Sequence, residues 1–205
     1  MHATKICHSF EGGVITTNDD ALAVRLRKMR NFGFVDHDQV EDLGINAKLP
    51  EVSAAMGLAS LNSLENYRET NRRNTTRYQA RLEKTAGLRI RPAPVGERSN
   101  YQYVIAELDE DLPVGARDAL YRALRAEGVL ARRYFYPGCH QMSPYGSLAQ
   151  PAVTTLRHTD SLCQRVLCFP NGTGVHTGAI DEICALTILI LTNLSLVQAK
   201  LASAS

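Results

Sequence analysis

Three rhythms of apolar and polar residues divide this chain. In the first, residues 14–17 are a compact β-branched run preceded by Gly12 and Gly13, which predicts a strand beside a tight bend or a close backbone approach. Residues 18–20 then offer N-cap chemistry, and Leu22, Leu26 and Met29 recur on one face of a helix running to about Arg30. Asn31, Phe32 and Gly33 end it, Gly33 as the left-handed cap, and residues 35–48 have no period and read as a polar loop. Pro50 opens the second rhythm, a helical one with few breakers to Thr85 and closed by Gly87. About 36 residues at roughly 1.5 Å each make a rod of roughly 54 Å. Such a rod either breaks, near Asn62 or Asn66, or joins two bodies.

From Leu88 onward strands and helices alternate. The pattern predicts strands over 88–91, 101–108 and 129–136, and a helix over 116–127 with Leu120, Ala123 and Leu124 inward. It then predicts a helix over 154–165, a short strand over 166–169 stopped by Pro170, and a final helix from Thr177. Asp181 and Glu182 are placed in the first turn of that helix, with Ile180, Ile183, Leu186, Ile190 and Leu194 packing it down. This second part reads as a small α+β layer.

Composition narrows the class. A net charge of +2 is too slight to argue for nucleic acid or an anionic membrane. Arg68, Arg72, Arg73, Arg77 and Arg81 lay a basic stripe along the rod, but Glu65, Glu69 and Glu83 balance it, so a solvated surface is the reading preferred over a nucleic-acid face. The cluster Arg25, Arg27, Lys28 and Arg30 reads in the same way, as compensation of the helix dipole rather than a phosphate patch. Five cysteines, odd in number and without paired short spacing, argue for reduced thiols. A metal site from Cys163, Cys168 and His176 lacks the tight pair that zinc usually takes, so no metal is expected. The most apolar run, residues 186–197, falls short of the roughly 20 residues a membrane helix needs. No secretion signal opens the chain, and a cytoplasmic protein is expected.

Two motifs carry the chemistry. His2, Ala3, Thr4 and Lys5 are followed by Glu11, Gly12 and Gly13; Gly44, Ile45, Asn46, Ala47 and Lys48 are followed by Pro50 and Glu51. Taken alone, Lys5 is a residue near a chain end, where mobile tails are common, and Asn46 is a turn residue tolerant of left-handed geometry. In order and spacing, however, the two motifs resemble those of the DegT/DnrJ/EryC1/StrS family of pyridoxal-phosphate-dependent sugar aminotransferases, with Met1 where an aromatic would stand. A third segment, Tyr134, Tyr136, Pro137, His140 and Tyr145, is similar to that family's Tyr-x-Pro-x-x-His loop near the sugar-nucleotide site.

The resemblance implies an α/β protein, the C-terminal half of a fold-type I pyridoxal-phosphate-dependent transferase. Residues 1–60 would be the end of the large cofactor-binding domain, 61–86 a bridging helix, and 87–205 the small α+β domain. It further implies that Lys5 condenses with the cofactor aldehyde. Asn46 would contact the cofactor phosphate across a homodimer interface, and His140 would contact substrate. The reaction implied is transfer of an amino group, usually from glutamate, to a nucleotide-linked keto-deoxysugar. Chemically the lysine is required as a Schiff-base nitrogen and proton carrier. A free lysine, with pKa near about 10.4, exposes well under about 0.1 per cent of that amine at neutral pH, so its surroundings must lower the value. The carboxylate that protonates the pyridine nitrogen lies upstream of the lysine in that family, and Asp19, Asp20 and Asp36 match no motif for it. The chain is therefore expected to be inactive alone, with a non-catalytic dimerisation or interaction module as the alternative.

Overall fold

The computed structural model describes residues 1–148 and 156–203. The chain clusters into two compact units, Met1–Asn66 and Tyr67–Ser205, with one helix running through the boundary.

In the first unit Asp19 caps helix α1 (Asp20–Met29), its Oδ1 accepting from the Leu22 amide at 2.9 Å. After the helix, Phe32 and Gly33 both take positive φ, 57° and 82°, and the Gly33 amide donates to the Lys28 carbonyl at 2.9 Å. The stretch expected to be an aperiodic loop contains a two-stranded antiparallel hairpin, β1 (Phe34–Asp36) with β2 (Gln39–Val40). Its strands are too short to leave a periodic signature. Conversely, residues 14–17 are not a strand. They run free of any ladder, because β-branched propensity cannot make a strand without a partner to receive its hydrogen bonds.

Helix α2 (Glu51–Leu82) is unbroken over 32 residues. The Pro50 carbonyl accepts the first helical bond, from the Ala54 amide at 2.9 Å. Asn62 and Asn66 both lie on exposed faces, where an asparagine costs a helix only about 0.7 kcal/mol or less, too little to break it.

The second unit is built on an antiparallel sheet in the order β3 (Leu88–Ile90), β4 (Val104–Leu108), β5 (Val166–Phe169), with Arg89 opposite Glu107 and Ile105 opposite Cys168. The C-terminal part of α2 contributes Tyr78 and Leu82 to its core. Tyr78 stacks on Phe169 with ring centroids 5.3 Å apart and donates its hydroxyl to the Pro170 carbonyl at 3.0 Å. Helix α3 (Ala116–Ala126) turns Leu120 and Leu124 fully inward, and α6 (Thr177–Thr192) and α7 (Leu194–Ser203) pack against it. A short helix α4 (Tyr145–Leu148) and helix α5 (Arg157–Arg165) lie between them in sequence; residues 154 and 155 of the helix expected there fall outside the described residues.

Three expectations for this unit change. The strand over 129–136 shrinks to one bridge, Arg132 with Cys168, because the chain then leaves the sheet edge for side-chain stacks against α3. The terminal helix is two helices bent by 85°, and among the described residues no single helix is long and apolar enough to cross a membrane. Asp181 sits beyond the first turn of α6, where it binds Arg77 and Arg81 of α2. Three arginines of the stripe are thus paired surface, Arg77 and Arg81 with Asp181 and Arg72 with Glu69.

Candidate active site

Lys5 sits on a turn closed by its own amide, which donates to the His2 carbonyl at 3.0 Å. The His2 ring fixes that turn. Its Nδ1 receives the Thr4 amide at 3.2 Å and lies 2.9 Å from Thr4 Oγ1, so Nδ1 is the acceptor and the Nε2 proton faces Glu11, 3.4 Å away. The loop folds back on itself through the Ser9 amide to the Met1 carbonyl (3.1 Å) and the Ser9 hydroxyl to the Glu11 carbonyl (3.2 Å), burying Ser9 completely. Gly12 of the Glu-Gly-Gly motif has a steric reason, since its Cβ would stand 2.8 Å from both Leu49 Cδ1 and Ser9 Oγ; a Cβ on Gly13 would meet nothing within 4 Å. Gly57 of α2 approaches the same loop so closely that a Cβ there would touch Met1 and Ser9 at 3.4 and 3.5 Å. Gly57 therefore gives the lysine loop its close approach to the helix, while the Lys5 side chain stands exposed.

The Asn46 loop is laced onto the end of α1. The last carbonyls of a helix have no intrahelical donors. Here the Ile45 amide donates to Met29 at 2.9 Å, the Ala47 amide to Arg30 at 2.9 Å, and the Phe32 amide back to Ile45 at 3.1 Å. Gly44 is required for this contact, since its Cβ would fall 2.3 Å from the Gly33 nitrogen and 2.4 Å from the Phe32 carbonyl carbon. Asn46 bridges Asn31, with its side chain exposed. Around this lacing opens a cleft of about 910 Å³, walled by Gly13, Val14, Ile15 and Thr17, by α1 including Arg27 and Arg30, and by Leu43, Gly44, Ile45, Ala47 and Leu49. Lys5 and Asn46 do not line it.

His140, in the second unit, is mostly covered. Its Nε2 lies 2.9 Å from Asp160 Oδ1, which also accepts from Gln141 at 2.7 Å. The ring pins a 3₁₀ turn (Cys139–Gln141) to α5.

Comparison with known proteins decides the family. Residues 1–187 match the model of the DegT/DnrJ/EryC1/StrS aminotransferase family. The chain belongs to that family. It is 32% identical over 180 residues to a dTDP-4-amino-4,6-dideoxy-D-glucose transaminase of Escherichia coli, covering 88% of this chain and 48% of the relative. It is 31% identical over 171 residues to the transaminase of the same name in Shigella dysenteriae, covering 83% and 46%. Among solved structures, DesI with its TDP-sugar product superposes with a TM-score of 0.83 at 39% identity, covering 97% of this chain and 50% of that one. The chain spans about half the length of the curated relatives it matches.

DegT/DnrJ/EryC1/StrS aminotransferases depend on pyridoxal phosphate, and the donor set here fits that group in part. The chain offers a primary amine on a braced turn and an amide on a rigid loop. It does not place a carboxylate in the cleft: among its lining residues the charged ones are both arginines. Of the three aspartates nearest Lys5 in sequence, Asp19 is spent on capping α1 and Asp36 accepts the His37 amide at 2.7 Å, while Asp20 lies in the first turn of α1.

Sequence reasoning missed Arg117. Its side chain is 2% exposed, stacks over Tyr136 at 4.4 Å, and donates to the Cys163 and Val166 carbonyls at 2.7 and 3.1 Å. Burial pulls its guanidinium below the ordinary arginine value, partly offset by Asp118. Arg133 takes the same Tyr136 ring at 4.7 Å, so two cations bind one aromatic at the root of the Tyr-x-Pro loop. The available signal was an arginine at position 117 among buried Ala116, Ala119 and Leu120.

Proposed function

We propose that this chain supplies the lysine-bearing half of a sugar aminotransferase active centre, moving an amino group, from glutamate by family resemblance, to a keto group of a nucleotide-linked deoxysugar. The observation that carries the reading is the braced His2–Lys5 turn in a chain that matches the family model over 1–187. The relatives named for dTDP-linked amino sugars and the DesI complex with a TDP-sugar support the substrate class.

In this reading Lys5 and Asn46 hold pyridoxal phosphate, whose conjugated ring supplies the electron sink for breaking a bond at the amine-bearing carbon. The Lys5 Nζ would be the nitrogen that holds the cofactor by its aldehyde carbon, and as a free amine it would hold the proton that moves to and from the substrate carbon. The turn fixes the direction of approach, since Thr4, His2 and Glu11 lock the backbone on both sides of it. Asn46, its side chain exposed, would offer an amide donor to the cofactor phosphate of a neighbouring subunit in a homodimer. His140, its ring orientation set by Asp160, borders the sugar-nucleotide end.

The test is to mix the protein with pyridoxal phosphate, reduce with borohydride and map the pyridoxyl group. It should concentrate on Lys5 over Lys28, Lys48, Lys84 and Lys200, and Lys5→Ala should abolish the selective adduct. Equal labelling of all five lysines would overturn the assignment.

A further inference from the structure

Gly138 is buried just before the 3₁₀ turn, and a Cβ there would stand 2.7 Å from His140 Cε1 and 3.4 Å from Cys163 Sγ. The missing side chain lets the turn close onto α5 over that sulfur. Asp160 and Cys163, three residues apart on α5, share one face of the helix. On the turn, Cys139 and His140 are adjacent, and His140 holds Asp160 at 2.9 Å. One contact thus sets a second pair side by side, Cys139 with Cys163. Their separation is bounded by covalent geometry: consecutive Cα atoms are about 3.8 Å apart, so the Cys139 Cα lies within about 9 Å of the Cys163 sulfur. The charge of a Cys139 thiolate is felt at Cys163. Both are free thiols, Cys139 exposed and Cys163 partly buried. Beside Cys163 stands Arg117, whose Nη1 donates to the Cys163 carbonyl at 2.7 Å while its buried Nη2 finds no acceptor among the described residues.

We infer that Cys139 and Cys163 form a reversible disulfide that fastens the Tyr-x-Pro-x-x-His loop to α5, with a low-molecular-weight disulfide such as oxidised glutathione as the oxidant. Exposed Cys139, as its thiolate, attacks one sulfur of the oxidant, forming a mixed disulfide and releasing one glutathione thiolate. The Cys163 thiolate then attacks the Cys139 sulfur and expels the second. The protein loses two protons and two electrons, and the oxidant leaves as two thiols. The order of the steps follows from position. Burial and Asp160 raise the Cys163 thiol and make it the slower nucleophile, while the charge and the spare N–H of Arg117 favour its thiolate once the mixed disulfide stands beside it. Bridged Cα atoms lie about 4.4–6.8 Å apart, a distance reached by pivoting the three-residue turn about the His140–Asp160 contact. Cys168 and Cys184 are buried, with thiols pushed up to about 11, so neither competes. The bridge does not depend on the aminotransferase reading.

The test is incubation of the full chain with oxidised glutathione, followed by trypsin digestion without reductant. Cleavage after Arg133, Arg157 and Arg165 places Cys139 in residues 134–157 and Cys163 in residues 158–165. The two peptides should appear joined, lighter by two hydrogens than their sum, and should separate on adding dithiothreitol. In the bridged protein the Gln141 and Met142 amides, which close the turn onto the Gly138 and Cys139 carbonyls at 2.8 and 3.3 Å, should exchange at least about tenfold more slowly. Cys139→Ser, at an exposed position, should remove both effects while leaving thermal unfolding unchanged. Asp160→Ala should slow bridging at least about fivefold, because the contact that aligns the two thiols is lost. Glutathione retained on Cys139 with Cys163 still free, a peptide linking Cys139 to Cys168 or Cys184, or a bridge formed only between two copies overturns the inference. Bridging at an unchanged rate in Asp160→Ala, or unchanged exchange at Gln141 and Met142, equally overturns the fastening of the turn to α5.

Discussion

Glu107→Gln replaces one carboxylate oxygen with an amide nitrogen at a position ringed by three guanidinium groups. Glu107 is 3% exposed on β4 and receives Arg89 at 2.9 Å, Arg165 at 2.9 Å and Arg91 at 3.3 Å. Arg89 and Arg91 are 59% and 51% exposed, so solvent screens their share. The cost comes chiefly from Arg165, 18% exposed, which keeps Glu110 at 3.0 Å and the Leu108 carbonyl at 3.1 Å after the change. Breaking a fully buried pair costs about 3–5 kcal/mol, and these retained partners bring the expected loss to about 2 kcal/mol.

The sign of its pH dependence follows from competing causes. Burial alone would raise the Glu107 pKa, but hydrogen bonds from Arg89 and Arg165 and the nearby charge of Arg91 outweigh it, holding the carboxyl below its ordinary value. A depressed folded pKa stabilises fully above the unfolded value, near about 4.3, and that gain disappears as pH falls through the folded value. Urea unfolding followed by circular dichroism at pH 7, 5 and 3 should therefore give a gap between the two proteins of about 2 kcal/mol at neutral pH, closing in acid. A gap that ignores pH, or one under about 0.5 kcal/mol at pH 7, would refute the electrostatic account and leave Glu107 as a packing residue only.

Asn74→Ala should cost about 1–3 kcal/mol and speed amide exchange in residues 171–175, because its buried Nδ2 ties α2 to Asn171 (3.1 Å), Gly172 (3.1 Å) and Val175 (3.3 Å); unchanged exchange there would argue against it. Gly44→Ala pushes a methyl into the backbone of Phe32 and Gly33, so tryptic cleavage after Lys48 should accelerate while the melting of the second unit stays fixed; equal cleavage rates would mean the lacing adapts. Burial pushes the thiols of Cys168 and Cys184 up to about 11, so both should resist a maleimide at pH 8 in the folded protein while exposed Cys139 reacts; rapid labelling of Cys168 would contradict its place in the sheet.

The local rules written into the residues held where they needed only neighbours along the chain. Asp19 caps α1, Gly33 takes a left-handed turn, Pro50 opens the long helix and residues 166–169 form a strand with apolar residues facing the core. The two motifs were legible in the same way, because a turn built on His2 and a glycine that admits a neighbouring backbone are short-range demands. Tertiary structure decided what depended on partners distant in sequence. Whether residues 14–17 become a strand, whether 129–136 stay in the sheet, and whether an arginine at position 117 is surface or core are questions of what lies opposite. A β-branched run or a charged residue does not carry that answer within itself. The first unit makes the same distinction in reverse: its sequence specifies the lysine turn and the Asn46 lacing, but Val14, Ile15, Leu43 and Ile45 stay exposed and among the described residues no apolar side chain is buried around them.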